Sequence, residues 1–162
     1  MQLPAGDAAA CLRRFGATAC TDVTGFGLLG HLAEMTRAGD VAAALGLAAE
    51  PLLAGARETA AAGIHSTLQP QNARIRSVLR QAAAYAADPR LALLFDPQTA
   101  SGLLAGIPES QAAACVAELH RLGCPGAAII GRVLPPGGSG GAIHLAETVP
   151  AAAPERRARH GK

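Results

Sequence analysis

The residues best suited to chemistry lie in one run, Thr21-Asp-Val-Thr-Gly-Phe-Gly-Leu-Leu-Gly-His31. A strand that enters Gly25-x-Gly27 and leaves as a helix gathers unpaired backbone N–H groups and the positive end of the helix at one point. That suits a phosphate. Three readings are open. Gly25, Gly27 and Gly30 match the dinucleotide fingerprint, and Glu50 follows at the ribose-binding distance. Against it, Asp22 at the strand end would repel a bare pyrophosphate. The second reading is a tight strand–helix turn ordered by Asp22. In the third, Asp22 is a Mg²⁺ ligand and Thr24, Gly25 and Gly27 face a nucleotide phosphate. Magnesium needs only one or two carboxylates beside phosphates and water, so one Asp suffices for a share of a site.

Other reactive side chains read more plainly. Strand alternation puts Cys20 and Asp22 on one face and Thr21 and Val23 on the other. Cys20 is expected to be a small core residue rather than a reactive thiol. His31 is expected to be a packed or solvated histidine. Cys11, Cys20, Cys115 and Cys124 form no Cys-x-x-Cys, so reduced thiols in a cytoplasmic protein are expected. Arg74, Arg76 and Arg80 form a row that could bind an anion, though a solvated face is the simpler reading.

Composition narrows the function. The only lysine is Lys162. Phosphate must then be handled by backbone N–H groups, arginine, a metal or a lysine from elsewhere. A net charge of +2 argues for neither nucleic acid nor an anionic membrane. With no Trp, one Tyr and three Phe, the chain offers few platforms for stacked bases. No apolar run reaches the ~20 residues of a membrane span.

These residues need elements to place them. The pattern predicts a lead-in over 1–16 with a helix from Asp7 to Phe15, then a strand from Ala17 to Val23. A helix from Leu28 to Arg37 is stopped by Gly39. A strand follows over Val41–Leu47, then a helix from Pro51 to Ala62. His65–Asn72 reads as a polar loop, Ala73–Ala86 as a third helix and Leu91–Phe95 as extended. Asp96–Gly102 is a second loop. Leu103–Ile107 is a strand, and Pro108–Leu122 a helix. Ala127–Val133 and Ala142–Leu145 read as a closing β-hairpin around the Pro135–Gly141 turn. Residues 17–147 form one α/β domain, and 148–162 a disordered tail.

Ala19-Cys-Thr-Asp-Val-Thr-Gly-Phe-Gly-Leu-Leu-Gly-His-Leu-Ala-Glu-Met35 resembles the opening of the C-terminal domain of selenophosphate synthetases (selenide, water dikinases). Leu94-Phe-Asp-Pro-Gln-Thr-Ala-Ser-Gly-Leu-Leu104 is similar to that family's Asp-Pro-Gln-Thr-Ser-Gly-Gly-Leu-Leu loop. Ala128–Leu134 with Ala142–Leu145 resembles its final hairpin. The resemblance covers roughly residues 10–146. It implies a layered α/β/α (α+β) domain like the C-terminal domain of aminoimidazole ribonucleotide synthetase relatives, with a mixed sheet ending in a β-hairpin. The implied reaction converts ATP, selenide and water to selenophosphate, AMP and phosphate, with Mg²⁺ and in a homodimer. The implied role of Asp22 is to join carboxylates of the N-terminal domain around magnesium.

Ser101 stands where the family has Gly, which puts a phosphate role for that loop in doubt. The segment from His65 to Arg80 is similar to versions fused behind a flavin-type oxidoreductase. The family's N-terminal domain, with its reactive Cys or selenocysteine, its Lys and most of the ATP pocket, has no counterpart here. No catalytic residue is therefore expected in this chain, which should be inactive alone. Two alternatives stand beside this reading: a non-catalytic docking domain, and a synthetase domain acting on a purine intermediate.

Overall fold

The computed structural model describes residues 5–97, 102–136 and 141–151. After helix α1 (Ala5–Arg14), strand β1 (Ala19–Val23) pairs antiparallel with β4 (Gly102–Gly106), from Ala19 opposite Gly106 to Val23 opposite Gly102. This ribbon separates two apolar clusters. Leu103, Ala105 and Ile107 meet Cys11 and Leu12 of α1 and Cys115 and Leu119 of α6 (Glu109–Arg121). On the other side, Val23 and Leu104 meet Leu28, Leu29 and Ala33 of α2 (Gly27–Ala38). The period-2 alternation of a strand thus gives the ribbon two buried faces.

The second sheet is mixed. Its order is β3 (Leu79–Arg80), β6 (Ile143–Ala146), β2 (Ala42–Gly46), β5 (Gly131–Leu134). Every residue of β2 is buried. Its alanines favour helix intrinsically, but pairing along both edges holds them extended. Small residues let neighbouring backbone close in: a Cβ on Gly131 would overlap the Ala44 carbonyl, and one on Gly46 would overlap the backbone of Thr148 and Val149.

The α/β class and the mixed sheet agree with expectation; several local readings do not. The closing hairpin is absent. β5 pairs antiparallel with β2, and β6 pairs parallel with its other edge, so β2 lies between them. β2 is apolar on both faces and takes the central place. The helix expected over 73–86 is broken. A 3₁₀ segment (Ala73–Val78) leads into β3, where Leu79 pairs with Ile143, and Gln81 then adopts φ +60°. The 91–95 segment is not extended but belongs largely to helix α5 (Pro89–Leu93). Asp88 caps it by accepting the Arg90 N–H at 2.9 Å. Helix α3 (Ala56–Ala61) begins only after Gly55, and the 65–72 loop ends in a short α4 (Gln69–Asn72). The tail expected from 148 is held as far as Pro150, whose carbonyl accepts from Arg132 Nε at 3.2 Å. Among the described residues no helix is long and apolar enough to cross a membrane.

Candidate functional site

Asp22 stands on β1 opposite Leu103, and Cys20 opposite Ala105. Both therefore project to the face that α1 and α6 cover. Those helices lie over β4 and leave the β1 half open, so Cys20 and Asp22 are exposed. Cys20 is not the core residue expected, because nothing is packed over its half of the ribbon. Partial desolvation by the surrounding chain first, and then the charge of Asp22, push its thiol pKa up even though the residue is exposed. The Asp22 carboxylate has no hydrogen bond or ion pair to any described residue; only its backbone oxygen is met, by Thr21 Oγ1 at 3.3 Å.

The turn after β1 is fixed from within. The Gly27 N–H donates to the Thr24 carbonyl at 3.0 Å. The Thr24 N–H donates to Nε2 of buried His31 at 3.1 Å, and Thr24 Oγ1 lies 3.2 Å from the same nitrogen. Since Nε2 accepts, the neutral ring carries its proton on Nδ1. That atom has no hydrogen-bond partner, and Glu34 Oε2 approaches it only to 3.5 Å. His31 is thus packed, as expected, and orders the loop.

Two of the three residues expected to face phosphate have spent their amides internally. Thr24 donates to His31, and Gly27 donates to Thr24. Gly27 is glycine for another reason. Its φ is +71°, and a Cβ there would stand 2.8 Å from the Phe95 carbonyl carbon, 2.9 Å from the Leu94 oxygen and 3.0 Å from the Asp96 oxygen. Leu94 O also takes the first-turn N–H of Leu29. Carbonyl oxygens therefore fill the space where a pyrophosphate would meet the helix end, which removes the dinucleotide reading. Gly25 is different, because nothing lies within 4 Å of where its Cβ would be. The N–H groups of Gly25 and Phe26 have no acceptor among the described residues.

Asn72 completes the loop and was not singled out from sequence. Its Nδ2 donates to the Gly25 carbonyl at 2.8 Å and to the Phe95 carbonyl at 3.0 Å. It thereby ties the glycine turn to the 94–96 segment. No local signal marks it, since its partners are distant in the chain. Residues 98–101 of the second loop, including Thr99 and Ser101, lie outside the described residues.

Glu50, the ribose candidate, belongs to another cluster. Its Oε2 is buried without a partner, and burial raises its pKa to about 7 against the opposing pull of Arg90. Arg90 is itself held by Asp88 at 2.5 Å and Glu147 at 3.0 Å. The guanidinium holds the Asp88 carboxyl below its usual range.

No group of three His, Cys, Asp or Glu that could hold a metal occurs among the described residues. Among the described residues Asp22, three positions before the open Gly25, offers an exposed carboxylate with no hydrogen bond or ion pair. One such oxygen donor fits a shared magnesium site and not a complete protein cage.

Comparison with known proteins gives a consistent picture. The family described as AIR synthase related protein, C-terminal domain, matches residues 4–144. A selenide, water dikinase of Trichlorobacter lovleyi is 41% identical over 132 residues, covering 79% of this chain and 36% of the relative. One of Geobacter metallireducens is 38% identical over 136 residues, covering 84% and 39%. One of Caldanaerobacter subterraneus subsp. tengcongensis is 36% identical over 129 residues, covering 78% and 37%. The chain thus spans less than two fifths of the length of these relatives.

Proposed function

This chain belongs to the AIR synthase related protein family, C-terminal domain, and from that premise we propose that it is the C-terminal part of a selenide, water dikinase. In this reading it closes over ATP held by the remainder of a homodimeric cytoplasmic enzyme. The remainder supplies the catalytic groups and most of the nucleotide pocket. The reaction gives selenophosphate, AMP and phosphate from ATP, selenide and water.

The observation that carries the reading is the free Asp22 carboxylate at the mouth of the turn. Phosphoryl transfer is mostly positioning and charge neutralisation. Asp22 would hold a share of a magnesium ion, which when bound supplies positive charge to phosphate oxygens. The amides of Gly25 and Phe26 would donate to those oxygens, an assignment that takes the place of Thr24 and Gly27. His31 and Asn72 fix the turn that carries the two amides, through the Thr24 N–H and the Gly25 carbonyl. A loop held in place before the ligand arrives needs little reorganisation when charge develops.

The test is selenide-dependent AMP formation. The purified 162-residue chain should form none, whereas the same chain mixed with the N-terminal portion of a homologous enzyme should form it. AMP formation by the chain alone would overturn the division of labour. Release of AMP that depends on an amide substrate and not on selenide would favour a purine-pathway synthetase instead.

A further inference from the structure

A groove of about 340 Å³ runs from the glycine turn along the outside of α2. One wall is the α2 stripe of Gly30, Glu34 and Arg37, spaced to share a helix face, with Phe26 at its head. The other wall is the segment that carries Gln71 and Arg74. Gly30 keeps the head of the groove open, since a Cβ there would lie 2.6 Å from Phe26 Cβ.

We propose that this groove is a separate binding site for a phosphate-class oxyanion, gripped by Arg37 from one wall and Arg74 from the other. The reading goes beyond the Asp22 site and does not depend on it. Neither guanidinium has a carboxylate or carbonyl partner among the described residues, whereas Arg14, Arg90, Arg121 and Arg132 are each paired with an acid. The Arg37 stem runs past Gly141, whose lack of a Cβ leaves room for it, since a Cβ there would lie 2.7 Å from Arg37 Cγ. Glu34 is the one acid in the groove, and its carboxylate lies 3.5 Å from the His31 ring.

Two guanidinium forks on opposed walls suit a tetrahedral dianion, because each can take a different pair of oxygens. A planar monocarboxylate would be satisfied by one. The side-chain amide of Gln71 is available as a further donor. The arginine row of the sequence is thereby sorted. Arg74 joins Arg37, Arg76 lines a different cavity, and Arg80 bonds the Ser77 carbonyl at 3.1 Å.

The experiment titrates orthophosphate into the 162-residue chain with EDTA present, followed by ³¹P line broadening and calorimetry. Saturable binding is expected, weakened about tenfold or more by Arg74→Gln and by Arg37→Gln, the loss of one charge-assisted contact. Arg76→Gln and Asp22→Asn should leave it unchanged. AMP titrated in parallel tells whether the oxyanion is free or carried on a nucleoside: tighter AMP binding with the same arginine dependence assigns the carried form. Circular dichroism verifies the fold of the Arg37 variant, and Arg74→Gln, at an exposed position, tests the site independently. No saturable binding, or equal weakening by Arg76→Gln, overturns the proposal. Binding that Asp22→Asn strengthens and that neither Arg37→Gln nor Arg74→Gln weakens would move the oxyanion to the glycine turn, overturning the groove without touching the reading of Asp22.

Discussion

Glu50 offers a perturbation whose size follows from its surroundings. Its carboxyl titrates near 7 in the folded chain against an ordinary value of 4.5, because burial opposes the charged form more strongly than Arg90 supports it. The folded state therefore holds this proton more tightly than the unfolded state. Between those two values the folded chain binds more protons, and stability falls as pH rises. Below 4.5 the penalty is absent; above about 7 it is complete. Each pH unit of separation is worth about 1.4 kcal/mol, so the change from pH 5 to pH 8 comes to about 2–3 kcal/mol. Glu50→Gln keeps the shape and removes the titration. The variant should match the protonated wild type at pH 5 to within about 1 kcal/mol. It should be about 2–3 kcal/mol more stable than wild type at pH 8. Urea unfolding of both proteins at pH 5, 6, 7 and 8 gives the difference curve. Every other group, including the Asp88 carboxyl held down by Arg90, contributes equally to both proteins and cancels. A difference that stays flat from pH 5 to pH 8 would refute the reasoning.

Other outcomes follow from the turn. Gly27→Ala, strained at φ +71° and meeting backbone on three sides, should cost at least about 2 kcal/mol of unfolding free energy. Gly25→Ala, with open space around it, should stay within about 1 kcal/mol of wild type by urea titration. His31→Ala leaves the Thr24 N–H without its acceptor and should destabilise by about 1–3 kcal/mol. In hydrogen exchange, that Thr24 amide should be protected in wild type and lose its protection in the His31 variant. Asn72→Ala removes two bonds to the Gly25 and Phe95 carbonyls and should cost about 1–2 kcal/mol. Its proteolysis sites should move to the 24–27 and 94–96 segments.

How much of this was legible depended on whether the signal was local. β1 and α2 could be read because alternation and a 3.6-residue period are carried by contiguous residues, and Gly39 ends the helix where expected. The same alternation put Asp22 and Cys20 on one face of the strand, as the register has them. The exposure of Cys20 was not readable, because it depends on α6, which lies far along the chain and covers only β4. The alanines near residue 82 suggested helix, yet β3 is fixed by pairing with β6 more than sixty positions later. The glycine-rich turn near 135–141 invited a hairpin, but the two strands are parted by β2, an early element. One local signal was overlooked. Asp88-Pro89 is a cap followed by a first-turn proline, and it opens α5. In the site, the open Gly25 was distinguishable from the committed Gly27 only through the carbonyls of Leu94 and Asp96.

The central claim is that Asp22 serves the nucleotide through a shared divalent ion and does little for the fold. In the assembled, full-length enzyme, Asp22→Asn should lower selenide-dependent AMP formation by at least about a hundredfold, as expected when a metal ligand is lost. The urea midpoint of the 162-residue chain should change by less than the equivalent of about 0.5 kcal/mol, because the side chain is exposed and unpartnered. Undiminished AMP formation by the Asn variant would contradict the account.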